Sequence, residues 1–183
     1  MRSAWAFLPT IGGALVHAPI LRYDLLPSLK VPLDLGAAPG GKRLLGDNKT
    51  VRGALAMAGG TFAATLALHR LDWYRRRLPA ELRAAGAARH GAALGAAVVL
   101  GELPNSILKR RLGIGPGERG GSALGVALAI HDQADFVLGA WPLFLPVWRM
   151  SARQVGEAFA TVAAVHVGVN LAGYALGART APV

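Results

Sequence analysis

The sequence predicts an all-α integral membrane protein of about five transmembrane helices, with two polar loops on one face. Three observations predict it. Hydrophobic residues make up 53% of the chain and charged residues 16%, against about 25% charged in soluble domains, and the mean hydropathy is +0.39. The apolar residues fall into blocks close to the roughly 20 residues that a membrane-crossing helix needs. Gly is abundant, at 24 of 183 residues, and recurs in the pairs Gly91 with Gly95, Gly121 with Gly125 and Gly173 with Gly177. In lipid such small-xxx-small pairs let helix backbones approach closely. A disordered chain, a coiled coil and a disulfide scaffold are excluded. With no Cys, so are thiol catalysis and Cys-based metal sites.

The first span is about 4–21, an apolar block with Pro9, Gly12, Gly13 and His17 but no acid or base. A polar loop rich in Gly, Pro and charge follows at 22–53. The second span is about 54–71. The basic stretch from Asp72 to Arg89 reads as a short amphipathic helix at the membrane surface. The third span is about 87–103, ended by Pro104, and a second polar loop runs over 104–131. Within it, Ser122 to Ile130 reads as a short re-entrant or interfacial piece. The fourth span is about 132–150, with Trp141 and Trp148 suited to an interface, and the last is about 156–176. The whole chain, 1–183, reads as one membrane domain. Five spans put loops 22–53 and 104–131 on the same side. Lys and Arg do not choose which side, because the Arg-rich 70–89 segment offsets the two loops.

The net charge is +10, from 20 Lys and Arg against 10 Asp and Glu. Such a balance fits nucleic acid, anionic lipid or a polyphosphate. In a membrane protein it follows from cationic loops and lipid headgroups, so no nucleic-acid partner is expected.

Several groups could carry chemistry. Asp132 and Asp135 stand at i, i+3, which on a helix puts two carboxylates on one face. Near hydrocarbon each is costly, and the obvious compensation is a divalent cation such as Mg²⁺. The plainer reading is a pair of solvated acids at a helix N-terminus. Glu102, at the end of the third span, either reaches to water or supplies a third carboxylate. Lys109, Arg110 and Arg111 follow Ser106 on a short helix ended by Gly113, and Ser106 and Arg110 share a face. They form either a headgroup-binding patch or a phosphate clamp. The first loop carries Gly40-Gly41-Lys42-Arg43 and then Gly46-Asp47-Asn48-Lys49-Thr50-Val51-Arg52-Gly53. Gly lets backbone N–H groups approach a phosphate and Lys or Arg neutralises it, although a solvated basic loop has the same composition. His166 and Asn170, at i, i+4 in the last span, are either a functional pair or an interhelical hydrogen bond.

Taken together, these loops resemble the CDP-archaeol synthases. Residues Leu44 to Gly53 resemble the family's first-loop signature. Gly101-Glu102-Leu103-Pro104-Asn105-Ser106, continued to Ile114, resembles the second, with Glu102 where the family usually has Asp. Asp132-Gln133-Ala134-Asp135-Phe136-Val137-Leu138-Gly139-Ala140 is similar to its DQxDFVLGA segment, and His166 and Asn170 match a polar pair in its last helix. The stretch from Gly120 to Ile130 is longer and more apolar than the usual link. The resemblance implies a multi-pass cell-membrane cytidylyltransferase that uses Mg²⁺ to join CTP and a lipid phosphate. The products would be a CDP-lipid and pyrophosphate, most simply CDP-archaeol from 2,3-bis-O-geranylgeranyl-glycerol 1-phosphate.

On that resemblance both loops face the cytoplasm. Asp132 and Asp135 ligate Mg²⁺ with Glu102, while Lys42, Lys49 and Arg52 engage nucleotide phosphates. Gly41, Thr50 and Gly53 shape the nucleotide loop. Ser106, Lys109 and Arg110 meet the lipid phosphate or CTP, and His166 and Asn170 line the site. Two other readings stay open: the same reaction on phosphatidic acid or another lipid phosphate, and a non-catalytic lipid-binding membrane protein. Oligomeric state is not legible.

Overall fold

The computed structural model describes residues 2–115, 124, 127–128, 131–132 and 134–175, without the side chains of 169, 170, 172 and 173. Eight helices are described: α1 Arg2–Trp5, α2 Thr10–Arg22, α3 Val51–Leu68, α4 Asp72–Arg75, α5 Ala80–Leu100, α6 Glu102–Arg111, α7 Asp135–Phe144 and α8 Ala152–Ala175. No strand occurs among the described residues. A single bridge pairs Pro32 with Thr50.

The helices pack in a chain of neighbours. α2 lies on α3, α3 on α5, α5 on α7, and α8 packs against α1 and α7. Small residues make the first of these contacts. A Cβ at Gly13 would lie 2.5 Å from the Thr61 hydroxyl and 2.7 Å from the Met57 carbonyl, and one at Gly60 would lie 2.8 Å from the Gly12 carbonyl. The Gly91–Gly95 pair does the same for α5, facing Phe62 and the Ala58 carbonyl of α3. In the other two small-residue pairs, Gly121, Gly125 and Gly177 lie outside the described residues. A core of Phe7, Tyr74, Leu78, Leu82, Phe144 and Trp148 fills the bundle. His90, fully buried, joins α5 to the N-terminus: one ring nitrogen is 2.9 Å from the Ala6 carbonyl and the other 3.0 Å from His69. Neither histidine stood out in the sequence, because the pair exists only across two helices.

Among the described residues, three segments are long and apolar enough to cross a membrane: Arg2–Arg22, Val51–Leu68 and Ala80–Arg111. α8 has the length, at 24 residues, and α7, at 10 residues, is short. Several expected boundaries move for identifiable reasons. α3 starts at Val51, not near 54, because the Thr50 hydroxyl caps it by accepting the Gly53 N–H at 3.2 Å. The expected surface helix over 72–89 forms in two short pieces. Asp72–Arg75 is helical before Pro79, and the stretch from Ala80 is helical up to a break at Gly86 (φ 83, ψ 167), beyond which α5 continues to Leu100. Pro104 does not end the third span. Gly101 keeps helical angles (φ −64, ψ −30), and Pro104 sits in the first turn of α6, where a missing N–H is tolerated. The expected piece over 122–130 lies largely outside the described residues.

Candidate active site

The site gathers where the first loop folds over α6. The loop is held by Asp34, whose side chain is fully buried. Its carboxylate accepts the N–H groups of Leu45 (2.9 Å), Gly46 (3.3 Å) and Gly36 (3.1 Å), and Arg43 donates to it at 2.7 Å. The Arg43 guanidinium, with these N–H groups, holds the Asp34 carboxyl well below the usual carboxylate range. Sequence reading missed Asp34. Its signal is the Asp-x-Gly spacing of an Asx turn. Downstream, Leu33 donates to the Lys49 carbonyl (2.7 Å) and Val51 to the Val31 carbonyl (2.8 Å), which fixes Lys49 and Thr50 at the head of α3.

α6 supplies the opposing wall. Glu102, Asn105, Ser106 and Lys109 fall at i, i+3, i+4 and i+7, one face of a helix. Asn105 and Ser106 are buried there. Lys49 pairs with Glu102, and Lys109 with Asp132, which also accepts the side-chain amide of Asn105. The Asn105 carbonyl oxygen is buried with no hydrogen-bond partner among the described residues. Asp135, buried at the start of α7, accepts the Phe136 N–H at 2.8 Å and has no ion-pair partner among the described residues. Glu102, Asp132 and Lys49 are all within electrostatic range of it.

A glycine contact sets this distance. A Cβ on Gly101 would meet the Phe136 Cα at 2.7 Å and the Gly139 Cα at 3.2 Å. The backbones of α5 and α7 therefore touch one residue before Glu102 and one turn after Asp135. A cavity of about 160 Å³ opens beside Lys49 and Glu102, lined also by His17, Thr50, Met57 and Val98. A Cβ on Gly53 would lie 3.3 Å from the His17 ring. His17 and Asn105 are site neighbours that sequence reading did not single out. The position of Asn105 on the Glu102 face of the helix was the available signal.

The expected site residues stand as follows. Asp132 and Asp135 do not share a helix face, because Ala134 is non-helical (φ −154) and α7 begins at Asp135. Lysines reach Asp132 and Glu102, whereas Asp135 has no ion-pair partner among the described residues. As they stand, no three His, Asp or Glu groups among the described residues converge on one ion. Arg52, expected at a phosphate, is buried and tied to Asp24 (2.6 Å) and the Leu25 carbonyl (2.8 Å), anchoring the loop's entry. Arg110 donates to the carbonyls of Leu45 (3.3 Å) and Ile114, and Lys42 to the carbonyl of Arg111 at 2.9 Å. These two, with Gly41, lie in the seam between loop and helix, outside the lining of the cavity. Arg111 completes the seam through the carbonyls of Pro39 (2.7 Å) and Lys42 (3.2 Å). His166 is exposed on α8, and Asn170 follows one turn later with its side chain outside the described residues.

A family model described as CarS-like, CDP-archaeol synthase, matches residues 24–183. The chain belongs to the CDP-archaeol synthase family. It is 35% identical over 157 residues to the CDP-archaeol synthase of Aeropyrum pernix, covering 82% of this chain and 78% of that one. It is 35% identical over 171 residues to that of Halobacterium salinarum, covering 82% of each. A solved structure of an intramembrane enzyme for archaeal membrane lipid biosynthesis superposes with a TM-score of 0.63 at 28% identity, over 91% of this chain and 90% of that one. This family member is a multi-pass membrane enzyme. His17 lies on α2, ahead of the matched residues.

Proposed function

We propose that the chain transfers CMP from CTP to a membrane lipid phosphate, giving a CDP-lipid and pyrophosphate. The lipid is 2,3-bis-O-geranylgeranyl-glycerol 1-phosphate, the substrate class that the CDP-archaeol name implies. The observation that carries the reading is the meeting of Lys49–Glu102, Lys109–Asp132 and the buried Asp135 between the first loop, α6 and α7.

The nucleophile is an oxygen of the lipid phosphate. It attacks the α-phosphorus of CTP while the bond to the bridging oxygen of the β-phosphate breaks, and pyrophosphate leaves. A phosphomonoester is largely dianionic at pH 7, with a second pKa of about 6, so no general base is required. The barrier lies in bringing two anions together. Lys49, at the capped head of α3, is placed for the triphosphate, and Lys109 for the incoming lipid phosphate; Ser106, buried between them on the α6 face, adds a hydroxyl.

The residues present fit Mg²⁺. Asp135 has no ion-pair partner among the described residues and the Asn105 carbonyl oxygen has no hydrogen bond, and both are hard oxygen donors of the kind Mg²⁺ takes. Asp132 and Glu102 would join them as Lys109 and Lys49 turn to phosphates. When bound, the metal neutralises the triphosphate and the leaving pyrophosphate. Both loops face the cytoplasm, where CTP is found.

The test is purified protein with CTP, Mg²⁺ and a panel of lipid phosphates, the geranylgeranyl diether and phosphatidic acid among them, scored for CDP-lipid. Turnover should be highest on the diether. No CDP-lipid from any member of the panel would overturn the reading. Asp132→Asn and Asp135→Asn should each abolish turnover with membrane insertion retained, whereas Glu102→Asp should keep it. Near wild-type rates in either Asn variant would remove the metal assignment.

A further inference from the structure

The strap between α3 and α5, at the end of the bundle away from the site, carries a second basic concavity. Residues 70–83 hold Arg70, Arg75, Arg76, Arg77 and Arg83 against Asp72 and Glu81. The backbone beneath them is pinned. Tyr74, Leu78 and Leu82 are each fully buried, so the arginines between them project from a fixed strap. Arg77 is held between rings, 5.1 Å over Trp5 and 5.4 Å over Trp73, and donates to the Trp73 carbonyl at 2.9 Å. Asp72, Arg75, Arg76 and Arg83 line a concavity of about 440 Å³. Asp72 pairs with Arg75. Arg76 and Arg83 make no ion pair among the described residues, so two guanidinium groups face the space they share with the Asp72–Arg75 pair.

We propose that this concavity binds the phosphate headgroup of an anionic membrane lipid, at the membrane surface opposite the catalytic loops. Guanidinium forks take phosphate oxygens in pairs, with a geometry that an ammonium lacks. The flank of the concavity identifies the source of the phosphate. Trp73 and Leu71 are each about 40% exposed beside it, and Trp5 meets Trp73 edge-on at 6.2 Å. Exposed aromatic rings next to arginines mark headgroup depth in a bilayer. A lipid can set its phosphate on Arg76 and Arg83 and run its chains past Trp73 and Leu71. A free phosphate would use only the first half of this surface.

Native mass spectrometry of the full chain released from nanodiscs tests this. The nanodiscs hold phosphatidylcholine with a minority of phosphatidylglycerol. The protein should retain one phosphatidylglycerol in preference to phosphatidylcholine, and Arg76→Gln/Arg83→Gln should lower that retention at least tenfold while CDP-lipid synthesis continues. Arg76→Lys/Arg83→Lys, which keeps the charge, should still lose most of it. Arg70→Gln, outside the concavity, should lose little. Equal retention in wild type and the Gln pair would overturn the site, and equal loss in Arg70→Gln would reduce it to diffuse charge. Displacement of the lipid by millimolar inorganic phosphate would overturn the headgroup assignment in favour of a free anion. Should the Gln pair fail to fold, the Lys pair decides: unchanged retention there overturns the proposal.

Discussion

Lys49 is paired with Glu102, so removing it has two effects. In the proposed reaction it would delete a charge-assisted contact to the nucleotide, typically about 1.5–3 kcal/mol, and it leaves the Glu102 carboxylate without its lysine. Lys49→Ala should therefore lower kcat/KM for CTP by about 10- to 150-fold. Arg76→Ala, on the distant strap, should leave it near wild type. The comparison belongs at two salt concentrations, because a fixed contact is screened less than a diffuse field. Equal, salt-suppressed losses in both variants would mean that the basic loops only attract anions. Asp34 makes a prediction of a different kind. Its folded pKa lies below the unfolded value of about 3.9. Its contribution to stability is therefore complete above that value and is lost as pH falls through the lower, folded one. In melting curves, the gap between wild type and Asp34→Asn should hold steady from pH 7 to about pH 5. It should narrow only below about pH 4. A gap that closes between pH 7 and pH 5 would show that another group holds the loop.

Among the elements, the contact of α5 with α7 is the tightest joint near the site. Neither Gly101 nor Gly139 has room for a methyl group, since the neighbour in each case is backbone. Gly139→Ala should cost about 1–3 kcal/mol through overpacking and should lower turnover as well, because it moves Asp135 away from Glu102. Gly59→Ala is the control. Nothing lies within 4 Å of its added Cβ, so melting temperature and rate should hold or rise slightly. Equal effects at both positions would remove the positioning argument. The elements also show what the sequence could carry. Apolar blocks, the break at the first loop and the acid at the end of the third span were legible, because each is local. The non-helical Ala134, which splits the two aspartates, was not legible. Nor were the lysines that reach Glu102 and Asp132 from 53 and 23 residues away. Arg52 looked like a phosphate ligand for the same reason: its partner, Asp24, is chosen by the fold and not by its neighbours in the chain.

For the whole molecule, the two loops lie at one end of the bundle and the strap at the other, since α3 and α5 run between them. Single cysteines report this directly, because the chain has no Cys. Cys at Asn48 and at Leu112 should react with an impermeant reagent from the cytoplasmic side, and Cys at Arg76 only from the opposite side. Labelling of Asn48 and Leu112 from different sides would break the shared site. Of the stretches that carry the family resemblance, the first loop meets α6 through Lys49–Glu102, and α6 meets Asp132 through Lys109. The seam that joins the first loop to α6 leans on one side in its chemistry, since among the described residues the loop returns only one side-chain donor, Lys42, to the Arg111 carbonyl. Arg110 and Arg111 donate side-chain N–H groups, and Leu45, Pro39 and Lys42 answer with main-chain carbonyls. Every residue type brings a carbonyl, whereas only arginine brings that fork. Random substitution should thus spare Pro39 and Leu45 as partners in the seam while penalising Arg110, Arg111 and, for its side-chain donor, Lys42, so most of one side of the junction is free to drift in sequence as long as the other stands still.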